Sequence, residues 1–327
     1  MKTIYYKGLN MHKRRVVLIS GCSSGFGMLT TVEMVRRGFL VIATMRNFEK
    51  RYHLEEALSK LNFTSVEENV SPSNIHLESS SFINTPHPLC KILKLDVTNL
   101  DSVQNCVRTV IENFGYINVL INNAGSGDGG FAEDFSLEEF RAQFDTNFFG
   151  LVSLTKAVIP HMRTIRQGHI INISSIAGKM GVPGLSSYCA SKFAVEGFSE
   201  SLRYELRPYN VWVSLVEPGT YNTGIHTNIE QLVTSAYKPK SAYYEWGKRL
   251  LDETLKQAQH TTDNPTEVAK LISNIAETKI PKLRYIIGQE VKYLFLKKLI
   301  PAFLFERVIC WLSGYRNEEF NSTKCLL

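Results

Sequence analysis

No two cysteines stand at CxxC spacing in this 327-residue sequence; its six, Cys22, Cys90, Cys106, Cys189, Cys310 and Cys325, fall at irregular intervals. That pattern argues against a zinc site and a disulfide framework, and it fits reduced thiols in a cytoplasm. Metal-ligand spacing is missing among the loop histidines as well: His76 and His87 have no suitable partners, so no metal is expected. Nor is there an apolar run of secretory length. The basic residues His12, Lys13, Arg14 and Arg15 precede only Val16-Val17-Leu18-Ile19 before a glycine-rich turn, too little for a signal peptide. The Asn-x-Ser/Thr triplets at Asn62, Asn172 and Asn321 are therefore expected to stay unmodified. Cys325 makes no prenylation box, because Lys324 holds the fourth position from the end. A charge of one sign is lacking too. Lysine and arginine number 37 against 31 acids, and the excess of +6 is dispersed and weighted toward the two ends, which argues against nucleic acid as a partner.

With 44% hydrophobic side chains, the chain can bury one substantial core. Short apolar runs at 16–20, 40–45, 91–97, 119–121, 169–173, 211–216 and 283–287 alternate with helical stretches, notably 49–61, 136–162 and 265–277. The alternation predicts an α/β fold, a doubly wound parallel sheet of about seven strands in a single domain with a C-terminal helical extension. Residues 1–13 read as an N-terminal extension, 14–288 as the domain and 289–327 as an amphipathic tail. Two stretches of the domain carry no period: an insertion over 62–90, rich in Ser, Asn and Pro, and a polar, aromatic segment over 221–261 suited to covering a substrate.

The candidate chemistry stands at strand ends. Gly21-Cys22-Ser23-Ser24-Gly25-Phe26-Gly27 follows the first strand and opens a helix. Glycine permits positive φ and close approach, and the free N–H groups of a new helix favour phosphate, so a dinucleotide site is expected there. The second strand ends without the carboxylate that NAD sites commonly place near the ribose; Arg46 stands there and suits a 2′-phosphate, which favours NADP(H) over NAD(H). Asn122-Asn123-Ala124-Gly125 ends the fourth strand and Ser174-Ser175 the fifth, at the carboxyl edge where ligands gather in open α/β sheets. Beyond them come Tyr188 and Lys192, four residues apart and so on one helical face. A cation held beside a phenol favours the phenolate and makes the tyrosine a usable general acid or base. Tyr244 with Lys248 and Tyr293 with Lys297 repeat the spacing, but only Tyr188 and Lys192 follow a serine-ended strand in a glycine-looped sheet.

The ordered set SGCSSGFG, LDV, NNAG, TNFFG, INISS, YCASK and EPG resembles the short-chain dehydrogenase/reductase family over nearly all of residues 14–288. Within it the loops GCSSGFG and YCASKFA are most similar to the branch of 17β-hydroxysteroid and retinol dehydrogenases. The resemblance implies a Rossmann-like domain and a tetrad. Tyr188 would be the proton donor and acceptor, and Ser175 the hydroxyl polarising the substrate carbonyl, with Ser174 its competitor. Lys192 would hold the nicotinamide ribose and lower the pKa of Tyr188, and Asn147 would place a water linking Lys192 to solvent. Gly21, Ser24, Gly25, Phe26 and Gly27 would line the pyrophosphate, Asp96 and Val97 the adenine, and Asn122, Ala124 and Gly125 the adenosine ribose. Pro218, Gly219 and Thr223 would border the nicotinamide. Ser20 stands where the family usually has threonine, so a hydroxyl is kept.

The expected reaction is hydride transfer between NADP(H) and the carbonyl or alcohol carbon of a hydrophobic ketone or secondary alcohol, of steroid-, retinoid- or lipid-like kind. The enzyme would be cytoplasmic and a homodimer or homotetramer. A cofactor-binding regulatory protein or a membrane-associated interaction protein with little turnover is the alternative, and the complete tetrad speaks against both. The aromatic, apolar and basic tail is too interrupted by charge to span a bilayer. Its periodic apolar residues suit packing on the domain, covering a pocket, or contact with a membrane surface over 289–316.

Overall fold

The computed structural model describes residues 14–61, 82–221, 240–260 and 263–314. Every position is buried in β1 (Val16–Ile19), β2 (Leu40–Met45), β5 (Val119–Asn122) and β6 (Gly168–Ile173). Strands covered on both faces have no reason to alternate, which is why these segments read as near-continuous runs of Val, Ile and Leu. With β3 (Phe82–Asn84), β4 (Cys90–Lys94), β7 (Val211–Pro218) and β8 (Arg284–Ile287) they form one sheet, ordered β3-β4-β2-β1-β5-β6-β7-β8. All pairs are parallel except β3 with β4.

Successive side chains of each strand serve opposite faces. Val17, Ile19, Val41 and Ala43 pack with Met34 of α1 (Gly25–Arg36), Leu54 of α2 (Tyr52–Ser59) and Val268 and Ile272 of α8 (Pro265–Glu277). Val16, Leu18, Leu40 and Ile42 pack with Val103 of α3 (Leu100–Phe114), Leu154 of α5 (Gly150–Ile165) and Leu202 of α6 (Ser186–Leu206). Full burial of each such side chain contributes about 2 kcal/mol, so the two cores hold the strand ends in place. Because β1 lies between β2 and β5, the chain direction across the sheet reverses beside β1, and the loops leaving β1 and β5 open a crevice there.

The structure differs from the sequence-based expectation in three places. The sheet has eight strands, since the insertion expected over 62–90 contributes antiparallel β3 near its end, where Lys91 Nζ donates to Asn84 Oδ1 at 2.7 Å. The helix expected over 49–61 begins as a 3-10 turn, Phe48–Arg51, before α2. The helix expected over 136–162 starts at α4 (Leu137–Phe144) with a Ser136/Glu139 capping box, then passes through a π-turn at Asp145–Phe149 into α5. There Gly150 N–H donates to Asp145 O; a Cβ on Gly150 would stand 2.7 Å from Val97 Cγ2, so only glycine lets α5 close on the end of β4. Residues 222–239 and 261 of the covering segment lie outside the described residues. Its remainder holds α7 (Tyr244–His260), reached by a loop whose Tyr243 stacks on Phe131 at 4.7 Å. The tail supplies α9 (Val291–Leu299) and α10 (Ala302–Leu312), separated at Pro301.

Candidate active site

The turn after β1 is clamped from beneath by the turn after β5. Ser20 Oγ accepts the N–H groups of Asn123 and Ala124, each at 3.0 Å, and Asn123 Nδ2 donates to Ser20 O at 3.0 Å and Gly21 O at 2.9 Å. Gly21 has φ +73°, and a Cβ there would stand 2.8 Å from Ala124 Cα; a Cβ on Gly27 would overlap Gly21 O and Asn123 Nδ2. Ser24, the residue before α1, makes no side-chain cap to the helix. The first N–H groups of α1 therefore lack a side-chain acceptor and open toward whatever occupies the crevice. Gly25 (φ +56°) and Phe26 complete this turn, and Phe26 packs edge-on against Tyr221 at 5.6 Å.

The remaining residues expected around a dinucleotide divide in two. Arg46 stands exposed immediately beyond β2, while Thr44 is turned inward onto Ile19 O at 2.9 Å. Asp96 accepts from Thr98 N at 3.0 Å and Thr98 Oγ1 at 2.7 Å, shaping its own turn above buried Val97. Asn122 faces into the protein: its Nδ2 donates to Thr155 Oγ1 and Asn172 Oδ1, both at 2.8 Å, and Asn172 passes the chain on to Ser199 Oγ. Its side chain thus ties α5 and α6 to the sheet, leaving only its backbone to a ligand. Ala124 and Gly125 lie on the crevice side. Gly219 N–H donates to Ile287 O at 2.8 Å after Pro218 ends β7, and Thr223 lies outside the described residues.

Asn147, Ser175, Tyr188 and Lys192 come together from three elements. Lys192 sits one turn beyond Tyr188 on α6, buried, with Nζ donating to Ile173 O at 3.0 Å at the end of β6. A Cβ on Gly125 would stand 3.2 Å from Asn147 Oδ1 and 3.8 Å from Lys192 Nζ, so these three groups converge. Asn147 lies in the π-turn and is buried. Its Nδ2 donates to Ser126 O at 2.9 Å and Ser191 Oγ at 3.0 Å, and its Oδ1 accepts from Ser126 N–H at 2.8 Å. Its side chain thereby ties the loop after β5 to α6. Of the two serines ending β6, Ser175 is the one whose hydroxyl lies near enough to Tyr188 to act on its phenol; Ser174 is buried, its Oγ close to Gly178 and without a hydrogen-bond partner. Ser175 Oγ also caps Ala177 N–H at 3.1 Å and reaches Pro218 O at 3.4 Å.

The electrostatics depart from expectation. Burial pushes the Tyr188 phenol above its ordinary value, and the nearby Ser175 hydroxyl offsets this only in part. Burial also pulls Lys192 down to about 8, against an opposing pull from Glu196. Lys192 Nζ is 5.6 Å from the Tyr188 ring centroid and turned toward Ile173 O, so desolvation outweighs the cation's help to the phenolate. The other two Tyr/Lys pairs have no such surroundings: Lys248 is paired with Glu245 at 3.6 Å, and Lys297 donates to Lys179 O at 2.8 Å.

Several residues of the site had no role assigned from the sequence. Asn123, Ser126 and Ser191 act by hydrogen bonds to neighbours; Asn123 stood within NNAG and Ser191 within YCASK, and Ser126 lay outside every motif. Behind Lys192, Glu196 and Glu217 meet Arg284 at 3.0 and 3.4 Å across β7, β8 and α6. Among the described residues no cluster of His, Cys, Asp or Glu could hold a metal ion, and no helix is long and apolar enough to cross a membrane.

Comparison with known proteins agrees with this geometry. Residues 87–233 match the family model described as short chain dehydrogenase. The chain is 39% identical over 298 residues to the uncharacterized oxidoreductase YusZ of Bacillus subtilis, covering 90% of this chain and 97% of that one. It is 36% identical over 285 residues to a 3-ketodihydrosphingosine reductase of Bacteroides thetaiotaomicron, covering 86% and 91%. A solved short-chain dehydrogenase from Streptomyces avermitilis superposes with a TM-score of 0.68 at 26% identity, covering 95% of this chain and 100% of that one. The motif order, the crevice beside β1 and these similarities together establish that the chain belongs to the short-chain dehydrogenase/reductase family and is an oxidoreductase.

Proposed function

We propose that the protein interconverts a hydrophobic ketone and its secondary alcohol with NADP(H), using Tyr188 as general acid and base. The observation that carries this reading is the convergence of Asn147 Oδ1 and Lys192 Nζ at Gly125, beside the Tyr188 ring at Gly127, with the Ser175 hydroxyl acting on Tyr188 from the end of β6. The residues present also suit a dinucleotide: an uncapped helix N-terminus, glycines whose missing side chains keep the turn close to Asn123 and Ala124, and Arg46 without a competing acid at the end of β2. Hydride donation and acceptance at carbon is the chemistry that a bound nicotinamide supplies.

The protein's own residues do the rest. Ser175 and Tyr188 both donate hydrogen bonds to a substrate oxygen, where negative charge grows during reduction. Tyr188 then gives up its proton to that oxygen, and Lys192, one turn away, sets how readily the proton is replaced. Asn147 fixes Ser126 and so the floor beneath the reacting groups. Support for a hydrophobic ketone comes from the relative named for 3-ketodihydrosphingosine, a keto lipid. Contact with a membrane surface through residues 289–316 belongs to the same reading and is supported by the exposed apolar side chains of α9 and α10.

The test is a panel of hydrophobic ketones and alcohols read by nicotinamide absorbance with NADPH and NADH side by side, on the wild type and Tyr188→Phe. Loss of the proton donor should lower turnover by about 10²- to 10⁴-fold, with cofactor affinity by fluorescence titration little changed. Tyr244→Phe and Tyr293→Phe should be fully active. Wild-type turnover in Tyr188→Phe would refute the assignment.

A further inference from the structure

The two helices of the tail are apolar on both sides. Inward, Leu294 of α9 and Phe305 of α10 are buried against Ile176 and Met180, which immediately follow Ser175. Outward, Phe295, Leu299, Phe303, Leu304 and Trp311 are between 40% and 80% exposed, a run of large apolar side chains on two short consecutive helices. A surface of this kind on a globular fold marks contact with another apolar phase or partner. Its charges identify which. Exposed Lys292, Lys297, Lys298 and Arg307 share the two helices with a single acid, Glu306. Two copies of the chain meeting through this face about a twofold axis would bring like charges together, which is unfavourable. An anionic lipid surface satisfies both features at once, accepting the apolar side chains below its headgroups while attracting the lysines and arginine.

We propose that the outer face of α9 and α10 docks on an anionic lipid bilayer. The proposal rests on the membrane-surface reading given above and assigns it a face and a lipid charge. Docked this way, the loop after Ser175 lies about one helix diameter, roughly 10 Å, from the lipid, and the same helix pair that seals the catalytic loop faces the phase in which a hydrophobic ketone is dissolved. The catalytic group and its substrate reservoir then share one side of the molecule.

Flotation of the full chain with vesicles tests this, using phosphatidylglycerol and phosphatidylcholine in equal parts against phosphatidylcholine alone. The wild type should float with the mixed vesicles and far less with the neutral ones. Leu299→Ser/Trp311→Ser, both at exposed positions and so compatible with folding, should lose at least about tenfold in partitioning. Lys292→Gln/Lys298→Gln should lose about fivefold per lysine on the anionic vesicles only. If the serine pair floats as well as the wild type, the face is wrong although the membrane reading stands. If the wild type floats with neither vesicle, the membrane reading itself falls. If instead the wild type is an oligomer that the serine pair dissociates, and no vesicle binds, the face belongs to a second copy and the proposal is overturned.

Discussion

Replacing Glu217 by glutamine should stabilise the protein, and only above the acid range. Glu217 is fully buried at the end of β7, and its carboxyl is pushed up to about 7, first by burial and then by Glu196. Arg284 Nε lies 3.4 Å from Glu217 Oε1 but directs its hydrogen bond to Glu196 Oε2 at 3.0 Å. Glu196 Oε1 and both Glu217 oxygens are otherwise left bare, so a proton on Glu217 serves both carboxyls by donating to Glu196. Between an unfolded value of 4.5 and a folded value of about 7, the native protein holds a proton that the unfolded chain has released. Stability therefore falls as pH rises through that window and levels off above it. The interval is worth at most about 3 kcal/mol. Glutamine keeps the volume, supplies the N–H donor that the protonated acid supplied, and never ionises. Denaturant melts of both proteins between about pH 5 and about pH 8 should show curves that meet at the acid end and diverge upward in favour of Glu217→Gln. Parallel curves, or a less stable variant at the alkaline end, would show that Glu217 is ionised in the native state and that the shared proton does not exist.

Lys192→Met should raise stability near neutral pH by up to about 3 kcal/mol, less about 1 for the lost bond to Ile173 O, while removing turnover. Because Lys192 is pulled from 10.5 to about 8, the gain in melts should be complete below about pH 8 and vanish toward 10.5. Gly27→Ala should cost about 1–3 kcal/mol by overpacking against Gly21 O and Asn123 Nδ2, with dinucleotide affinity by fluorescence titration falling more than stability alone accounts for. In pH profiles, reduction should weaken and oxidation strengthen as Lys192 loses its proton near 8; parallel profiles in the two directions would count against coupling between Lys192 and Tyr188.

How much could be read from the chain depends on whether a residue acts through its neighbours in sequence or in space. The strands were legible because burial on both faces demands continuous apolar runs, as Val16–Ile19 shows. The turn after β1 was legible because glycines at 21, 25 and 27 have one backbone purpose. Ser175 could be preferred to Ser174 only by spacing, yet a two-residue period puts adjacent side chains on opposite sides of a strand end, and only one of them can meet Tyr188. The π-turn left no periodic mark: residues 136–162 keep an apolar pattern straight through it, and the close contact beside it, Gly150 against Val97, joins positions 53 apart. Strand β3 was hidden for another reason. Three residues after a long irregular stretch carry too little pattern, and Phe82 gains its partner only when β4 is in place. Asn122 belongs to a motif but spends its side chain on Thr155 and Asn172, a distinction that motif order does not contain.

The Tyr188 and Lys192 spacing foretold the meeting of the two groups but not the order in which they lose protons. On an exposed helix the ammonium would outlast the phenol's neutrality and draw it toward the phenolate. Here burial acts on both groups and in opposite senses, raising Tyr188 and lowering Lys192. The first proton to leave as pH rises therefore comes from Lys192 rather than from Tyr188. At neutral pH both groups hold their protons, which is the state that the proposed reduction requires of Tyr188. Burial is the larger influence on Lys192 and Glu196 opposes it, while Arg284 holds Glu196 in place, so the carboxyl cluster beneath β7 moderates the pH at which Lys192 loses its proton. The protonation of Tyr188 and Lys192 is thus governed first by burial, a property of the whole sheet rather than of the motif that marks the site.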